Sequence, residues 1–402
     1  YRMSLHVDPA AGAVEGRSRV TFVAGRPTDR LVFRLWPNGP RLAESGARLS
    51  VTDAELRAGR AGVEQPDPTT LEFHFRETLR PGARAVAVLR WELELPGPVL
   101  DRISQNGTSV RLGSFFPILA WEGARGWATD PPATTLAESS TSPTADFDVR
   151  IAAPEELDVI ATGREVEPGV WDARAVRDFA VAVGEFEIAT RTVEAPRRVR
   201  VRVGVASGVD ASAEEFLDAV ARALRDLTRR YGAYPWPSFS MAVMPDLGGS
   251  GIEYPAMVFQ GEDSLERATT HEVAHSWFYA LVGNNQWRDP WLDEGVTSWA
   301  QARSDGILRF FRDYSVPQDA EGRLGESMSY WDEREDSYYG GVYAQGVKAL
   351  DALGNPRKVD CALRRYVAAN AYRFARPPDL LDALETEFPR AGRILRRFGV
   401  RR

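Results

Sequence analysis

The sequence predicts an α+β chain of more than one domain, with an antiparallel β region first and a mixed α/β region after it. Three observations carry this. At 402 residues the chain exceeds one typical domain and can bury a large core. Short β-rich runs dominate residues 1–192. Over residues 193–402 helical periodicity takes over.

The elements follow in order. Runs at 4–7, 19–23, 31–35, 71–75, 85–89, 147–151 and 179–183 are rich in Val, Phe, Leu and Ile and are separated by Gly, Pro and Asp, as strands are. The Ser-, Thr- and Pro-rich stretch 130–143 reads as a loop. A basic strand at 197–205 precedes a long amphipathic helix over 211–231, with Phe216, Leu217, Val220, Ala223, Leu224 and Leu227 on one face. Asp210 or Ser212 caps it, and Tyr231-Gly232-Ala233-Tyr234-Pro235 ends it. A strand at 240–244 leads into a glycine-rich loop. A helix is expected within 264–282, and further helices near 292–303, 340–353, 359–371 and 378–387.

Composition excludes several classes. A formal charge of −7 argues against a nucleic-acid partner. No apolar run of about 18 residues is present to span a membrane. The one cysteine, Cys361, excludes an intrachain disulfide. Lysine stands only at 348 and 358, a composition bias rather than chemistry. The sequence shows no signal peptide, and because it starts at Tyr1 rather than Met, a leader cleaved or lying outside it is compatible with it. Export to the extracellular space or cell envelope is the preferred reading, with the cytoplasm as the alternative.

One motif carries chemistry. Thr270-His271-Glu272-Val273-Ala274-His275 contains H-E-x-x-H, and two of the four histidines of the chain lie in it. On a helix, i and i+4 share a face, so two imidazoles can bind one Zn²⁺ and the adjacent glutamate can reach a water there. A hydrolytic zinc needs a third protein ligand. Glu294 stands 19 residues past His275 (294 − 275), at the start of an apolar-periodic run in Trp291-Leu292-Asp293-Glu294-Gly295. The turn formers of 283–290 suit a connection that brings a second helix antiparallel to the first. One zinc ion per chain is expected, on His271, His275 and Glu294.

Two further motifs make the resemblance specific. Ser250-Gly251-Ile252-Glu253-Tyr254-Pro255 resembles a Gly-x-Met-Glu-Asn exopeptidase signature, departing from it at Ser250, Ile252 and Tyr254, and Tyr343-Ala344-Gln345-Gly346 resembles Tyr-x-Lys-Gly. With H-E-x-x-H and Glu294 they stand in the order found in aminopeptidase N-type gluzincin zinc metallopeptidases. The resemblance implies an N-terminal saddle of β-sheets, to which Phe115–Ala120 and Arg177-Asp178-Phe179 correspond, and a thermolysin-like catalytic domain. It is to a short bacterial member lacking the C-terminal helical domain of full-length relatives. A more open cleft and tolerance of longer peptides are then expected.

The implied activity is zinc-dependent removal of N-terminal residues from peptides with a free N-terminus. Glu272 would be general base on the water at the metal and then proton donor to the leaving amine. Tyr343 would stabilise the oxyanion, with Tyr338 and Tyr339 as nearby competitors for that role. Glu253 would hold the free α-ammonium, beside Gly251, Ile252 and Tyr254 as substrate-binding positions. Taken alone, Glu253 would read as a solvated residue in a glycine-rich turn. Gln345 replaces the family lysine, which leaves any role of that lysine open. Asp293 and Thr297 could support the ligands or simply sit at a helix start. Asp289 could do no more than fix its loop, and His6 and His74 read as structural. A thermolysin-type endopeptidase and a non-catalytic scaffold of the same fold remain alternatives. Epoxide hydrolysis, known in one branch of the family, has no specific support.

Overall fold

The structure, a computed structural model, describes residues 1–57, 61–136 and 140–402. In the predicted loop at 130–143, the described residues carry no helix or strand, and 137–139 lie outside the described residues.

Three sheets build the first part. A seven-stranded sheet runs in the order Arg164–Glu167, Val170–Val176, Ala145–Ala152, Arg2–Asp8, Ala13–Val23, Arg84–Glu94, Arg48–Leu56. Alternation drives it: Met3, Leu5 and Val7 are buried while Arg2, Ser4 and His6 face out. The sheet is antiparallel except where Arg2–Asp8 lies parallel to Ala145–Ala152. The long connection between those two strands allows the parallel pairing. Two four-stranded antiparallel sheets pack with it, one containing Thr28–Arg34 and Thr70–Leu79, the other Ser109–Leu112 and Val181–Gly184. Phe115 and Phe116 are fully buried in the shared core.

The second part is built on a five-stranded mixed sheet in the order Phe186–Ala195, Arg197–Ala206, Ser238–Val243, Met257–Gln260, Gly251–Tyr254. Sheet membership changes between Gly184 and Phe186, and residue 192 lies within the first strand of this sheet. Helix Ala213–Tyr231 packs on the two long strands with its apolar face buried. Ser212 Oγ accepts from Glu215 N (3.4 Å), so Ser212 is the cap of the two candidates. Buried Asp360 then ties three helices together. Its Oδ1 accepts from Trp299 Nε1 (3.0 Å) and Tyr231 Oη (3.3 Å), and its Oδ2 from Arg303 (3.0 Å) and Arg230 (3.1 Å). A buried charge so fully partnered is tolerable where a lone one is not.

The expected helices are corrected in extent. The helix expected within 264–282 is Thr269–Ala274. Helical hydrogen bonding continues to Phe278 N, which donates to Ala274 O (3.3 Å), and Tyr279 at φ 143° turns the chain away. The helix expected at 340–353 is split into a π-turn, Tyr339–Ala344, and an α-helix, Gln345–Asp351. Within the π-turn two glycines are wedged against neighbours: a Cβ on Gly340 would meet Pro317 Cδ at 2.5 Å, and one on Gly341 would meet Trp331 Cζ3 at 2.6 Å. The helices expected at 292–303, 359–371 and 378–387 appear as Glu294–Ser304, Pro356–Asn370 and Pro377–Glu385, the last two starting earlier because proline suits the first helical turn.

Candidate metal centre

Each motif glycine makes room for a specific neighbour. Helices Glu294–Ser304 and Gln345–Asp351 cross at Gly295 and Gly346, where a Cβ on Gly346 would lie 2.5 Å from Gly295 Cα. That crossing sets Tyr343 beside Glu294. The edge strand Gly251–Tyr254 pairs on one side only, Glu253 opposite Val258, leaving its other edge toward the cleft. A Cβ on Gly251 would sit 2.6 Å from Glu272 Oε1.

His271, His275 and Glu294 converge, each with a donor atom within 4.8 Å of the others. His271 Nε2 is 3.0 Å and His275 Nε2 is 3.5 Å from Glu294 Oε2. Ligands of a tetrahedral zinc, about 2.1 Å from the ion, stand roughly 3.4 Å apart, so the donor set fits. The imidazole of His275 is oriented from behind: Nδ1 is 2.7 Å from Asp293 Oδ1, and Gln286 Nε2 donates to Asp293 Oδ2 (2.7 Å). A carboxylate on Nδ1 fixes the proton there and leaves the Nε2 lone pair for an ion. Thr297 Oγ1 lies 3.3 Å from the same Nδ1. Glu253, His275 and Asp293 also bring one donor each within 4.8 Å. Because Asp293 meets the nitrogen turned from Glu294, that group reads as support for His275.

The electrostatics follow from burial. Burial raises the Glu272 carboxyl above its usual range against the pull of both imidazoles, and its Oε2 has no hydrogen-bond partner among the described residues. Burial alone would also raise Glu294, but His275 and His271 hold it well below the usual carboxylate range. Tyr343 is pushed well above its ordinary value by burial and then by Glu294. Its ring stacks at 5.7 Å and 16° on His271.

These groups border a cavity of about 470 Å³. Of the predicted positions, His271, Glu272, His275, Glu294, Tyr343, Glu253, Gly251 and Ile252 line it. Tyr254 does not. Its ring packs in a core cluster, 5.6 Å from Phe259, and lies where a Cβ on Gly113 would come within 2.7 Å of Cε2. Of the competitors for the oxyanion role, Tyr338 and Tyr339 also line the cavity, with ring centroids 5.7 Å and 5.2 Å from Tyr343. Gln345 is buried and turned away: Nε2 donates to Ala320 O (2.9 Å) and Gly341 O (3.0 Å), and Oε1 accepts from Gly322 N (2.7 Å). In place of a lysine it ties the π-turn to the 320–322 loop. Asp289 is mostly buried, which pushes its carboxyl up to about 6, and its carbonyl accepts from Asn284. His6 is exposed, and His74 Nε2 sits 3.0 Å from Glu72.

Sequence reasoning missed two contributors. Gln286 was lost in a run of turn formers. Arg177 had only its place in a family-like triplet. It is buried, its guanidinium lowered to about 10 by desolvation, and it faces main-chain oxygens. It donates to the carbonyls of Tyr279 (3.1 Å), Ala280 (3.2 Å), Ser142 (3.2 Å), Leu281 (3.4 Å) and Arg373 (2.6 Å). The first part of the chain thereby grips the segment that follows His275.

A β region set against a mixed α/β region, with a His₂Glu donor set on two adjoining helices, defines a site of the gluzincin class. Comparison with known proteins agrees. Residues 216–398 match the Peptidase family M1 domain. Human aminopeptidase B is 29% identical over 409 residues, covering 85% of this chain and 58% of that protein. Mouse aminopeptidase B is 26% identical over 403 residues, covering 86% and 59%. The chain thus spans less than two-thirds of the length of these curated relatives. An M1 zinc metallopeptidase from Deinococcus radiodurans has the same fold, with a TM-score of 0.73 at 21% identity, covering 100% of this chain and 94% of that one. Residues 216–398 thus form a Peptidase family M1 domain, and these relatives support the aminopeptidase N-type gluzincin family of zinc metallopeptidases for the chain. No helix among the described residues is long and apolar enough to cross a membrane.

Proposed function

We propose that the protein is a zinc aminopeptidase that removes N-terminal residues from peptides. The observation that carries this is the pairing of the His271, His275 and Glu294 donor set with a buried Glu253 on the edge strand of the same cavity.

When bound by His271, His275 and Glu294, one zinc ion would supply Lewis-acid polarisation of a water and of the scissile carbonyl. The remaining work falls to side chains. Glu272 takes a proton from the attacking water as the water oxygen bonds to the carbonyl carbon. It returns that proton to the amine as the C–N bond breaks. Its Oε2, without a hydrogen-bond partner among the described residues, and its raised proton affinity support both halves of that role. The hydroxyl of Tyr343, kept protonated by burial, donates to the oxyanion. Glu253 receives the α-ammonium in a charge-assisted hydrogen bond, so the first peptide bond lies at the reacting groups. The open edge of Gly251–Tyr254 can take the substrate main chain as an added strand. Residues 1–192 and 193–402 act as an N-terminal wall and a catalytic domain respectively.

The test is cleavage of one peptide, free and N-acetylated, by zinc-loaded protein, with Glu272→Gln as control. Loss of single residues from the free form alone, abolished in the control, is the expected result. Internal cuts in both forms would mean an endopeptidase. No cleavage of either with zinc bound would mean a binding scaffold.

A further inference from the structure

A line of aromatic rings leads out of the cavity. Tyr343 stacks on His271 at one end. Tyr339 stacks on Tyr343 at 5.2 Å, Tyr314 meets Tyr339 edge-on at 5.7 Å, and Phe310 lies 6.1 Å from Tyr314. The line ends in solvent, with Tyr339 43% and Phe310 54% exposed. Large exposed apolar side chains are few among the described residues, and two of them, Leu100 and Tyr339, border the cavity itself. The cations beside the line are already neutralised: Arg312 pairs with Asp351 (2.7 Å) and Arg309 with Asp313 (3.4 Å).

We propose that this ring line is an extended subsite for the downstream part of a peptide substrate, selecting aromatic or long aliphatic side chains beyond the scissile bond. The inference rests on the aminopeptidase reading and adds a substrate class to it. The occupant is the peptide tail because the line is continuous with the reacting groups. Glu253 holds the amine end, and the chain after the cut leaves along Tyr343 and Tyr339. An extended peptide advances about 3.3 Å per residue, so each ring step takes roughly two residues. Side chains of one face, at the third, fifth and seventh positions, therefore meet successive rings. With Arg309 and Arg312 already paired, the rings rather than these cations set the preference.

The experiment compares two heptapeptides with the same first two residues, one with Phe and one with Gly at positions three, five and seven. Initial release of the first residue by zinc-loaded protein is measured, together with calorimetric binding of both peptides to zinc-loaded Glu272→Gln. Hydrolysis of a one-residue aryl amide by the wild-type protein checks the aminopeptidase reading separately. The expected result is about a tenfold preference for the Phe peptide in kcat/KM and in affinity, as aromatic pairing would give. Phe310→Ser should reduce it to about threefold, in KM rather than kcat. Equal affinity and equal kcat/KM for the two peptides, with the aryl amide cleaved, would overturn the subsite and leave the aminopeptidase reading standing. If the aryl amide is not cleaved, that reading fails, and equal peptide affinities would sink the subsite as well. A change of oligomeric state in Phe310→Ser with the peptide preference intact would mark Phe310 as a subunit contact and overturn its place in the subsite.

Discussion

Gly251 sets the position of Glu272. The edge strand passes so close to the glutamate that a methyl group at 251 would lie 2.5 Å from its Cδ and 2.6 Å from Oε1. Glycine here is a matter of space, since the backbone at 251 is ordinary strand.

Gly251→Ala is therefore expected to fold and to push the Glu272 carboxylate from its place. A shift of about 1 Å in a reacting group costs on the order of 100-fold in rate. Turnover of a peptide substrate should fall by about that factor, while circular dichroism and zinc content stay as in the parent. Unchanged kcat would mean that Glu272 does not act from this position.

Asp293→Ala removes the acceptor on His275 Nδ1 and leaves Gln286 Nε2 without its partner. Loss of such an orienting group typically weakens metal affinity by about 10–100-fold. Competition with a chromogenic chelator measures this directly, and an unaltered affinity would show that Asp293 only starts its helix.

Gln345→Lys tests whether the family lysine could simply be restored. The carboxamide satisfies two carbonyls and one N–H in a buried spot. Lysine cannot accept from Gly322 N and would bring a charge inside. A loss of about 2–3 kcal/mol in stability is expected, without a gain in turnover, as read by thermal unfolding and steady-state kinetics.

Asp178 makes stability depend on pH. Burial lifts its carboxyl to about 7, although Ser114 Oγ (2.6 Å) and Phe179 N (2.7 Å) donate to it. The native value lies above the unfolded one, so from about pH 4 to 7 the folded chain holds a proton that the unfolded chain has lost. The contribution is full below about pH 4 and is lost as pH rises through 7. Asp178→Asn removes this dependence. Relative to the parent, the variant should gain on the order of 3 kcal/mol between pH 4.5 and pH 8, seen by scanning calorimetry at both values. Parallel stability curves for the two proteins would rule the group out.

Local signals carried much of the fold and the site. H-E-x-x-H works within one helical turn, and the 19-residue step to Glu294 spans a single loop. Strands such as Arg2–Asp8 declare themselves by alternation. Longer-range features had no such signature. The parallel pairing of Arg2–Asp8 with Ala145–Ala152 joins segments some 140 residues apart. The π-turn at Tyr339–Ala344 packs its glycines against Pro317 and Trp331, contacts made from outside its own segment. Tyr254 sits two residues along the strand from the cavity-lining Ile252, yet Gly113 and Phe259 draw its ring into the core, where a motif match placed it with the substrate.

The grip of Arg177 bears on inheritance. Main-chain oxygens of residues 279–281 face a guanidinium from a distant part of the chain, and Gly283 is small because that guanidinium fills its space. A catalytic half transplanted onto another first half would lose this donor to its 279–281 carbonyls and gain a hole where Arg177 had been. Recombination among relatives can succeed here only when both partners of this joint travel together, so the two halves have to change as one heritable unit.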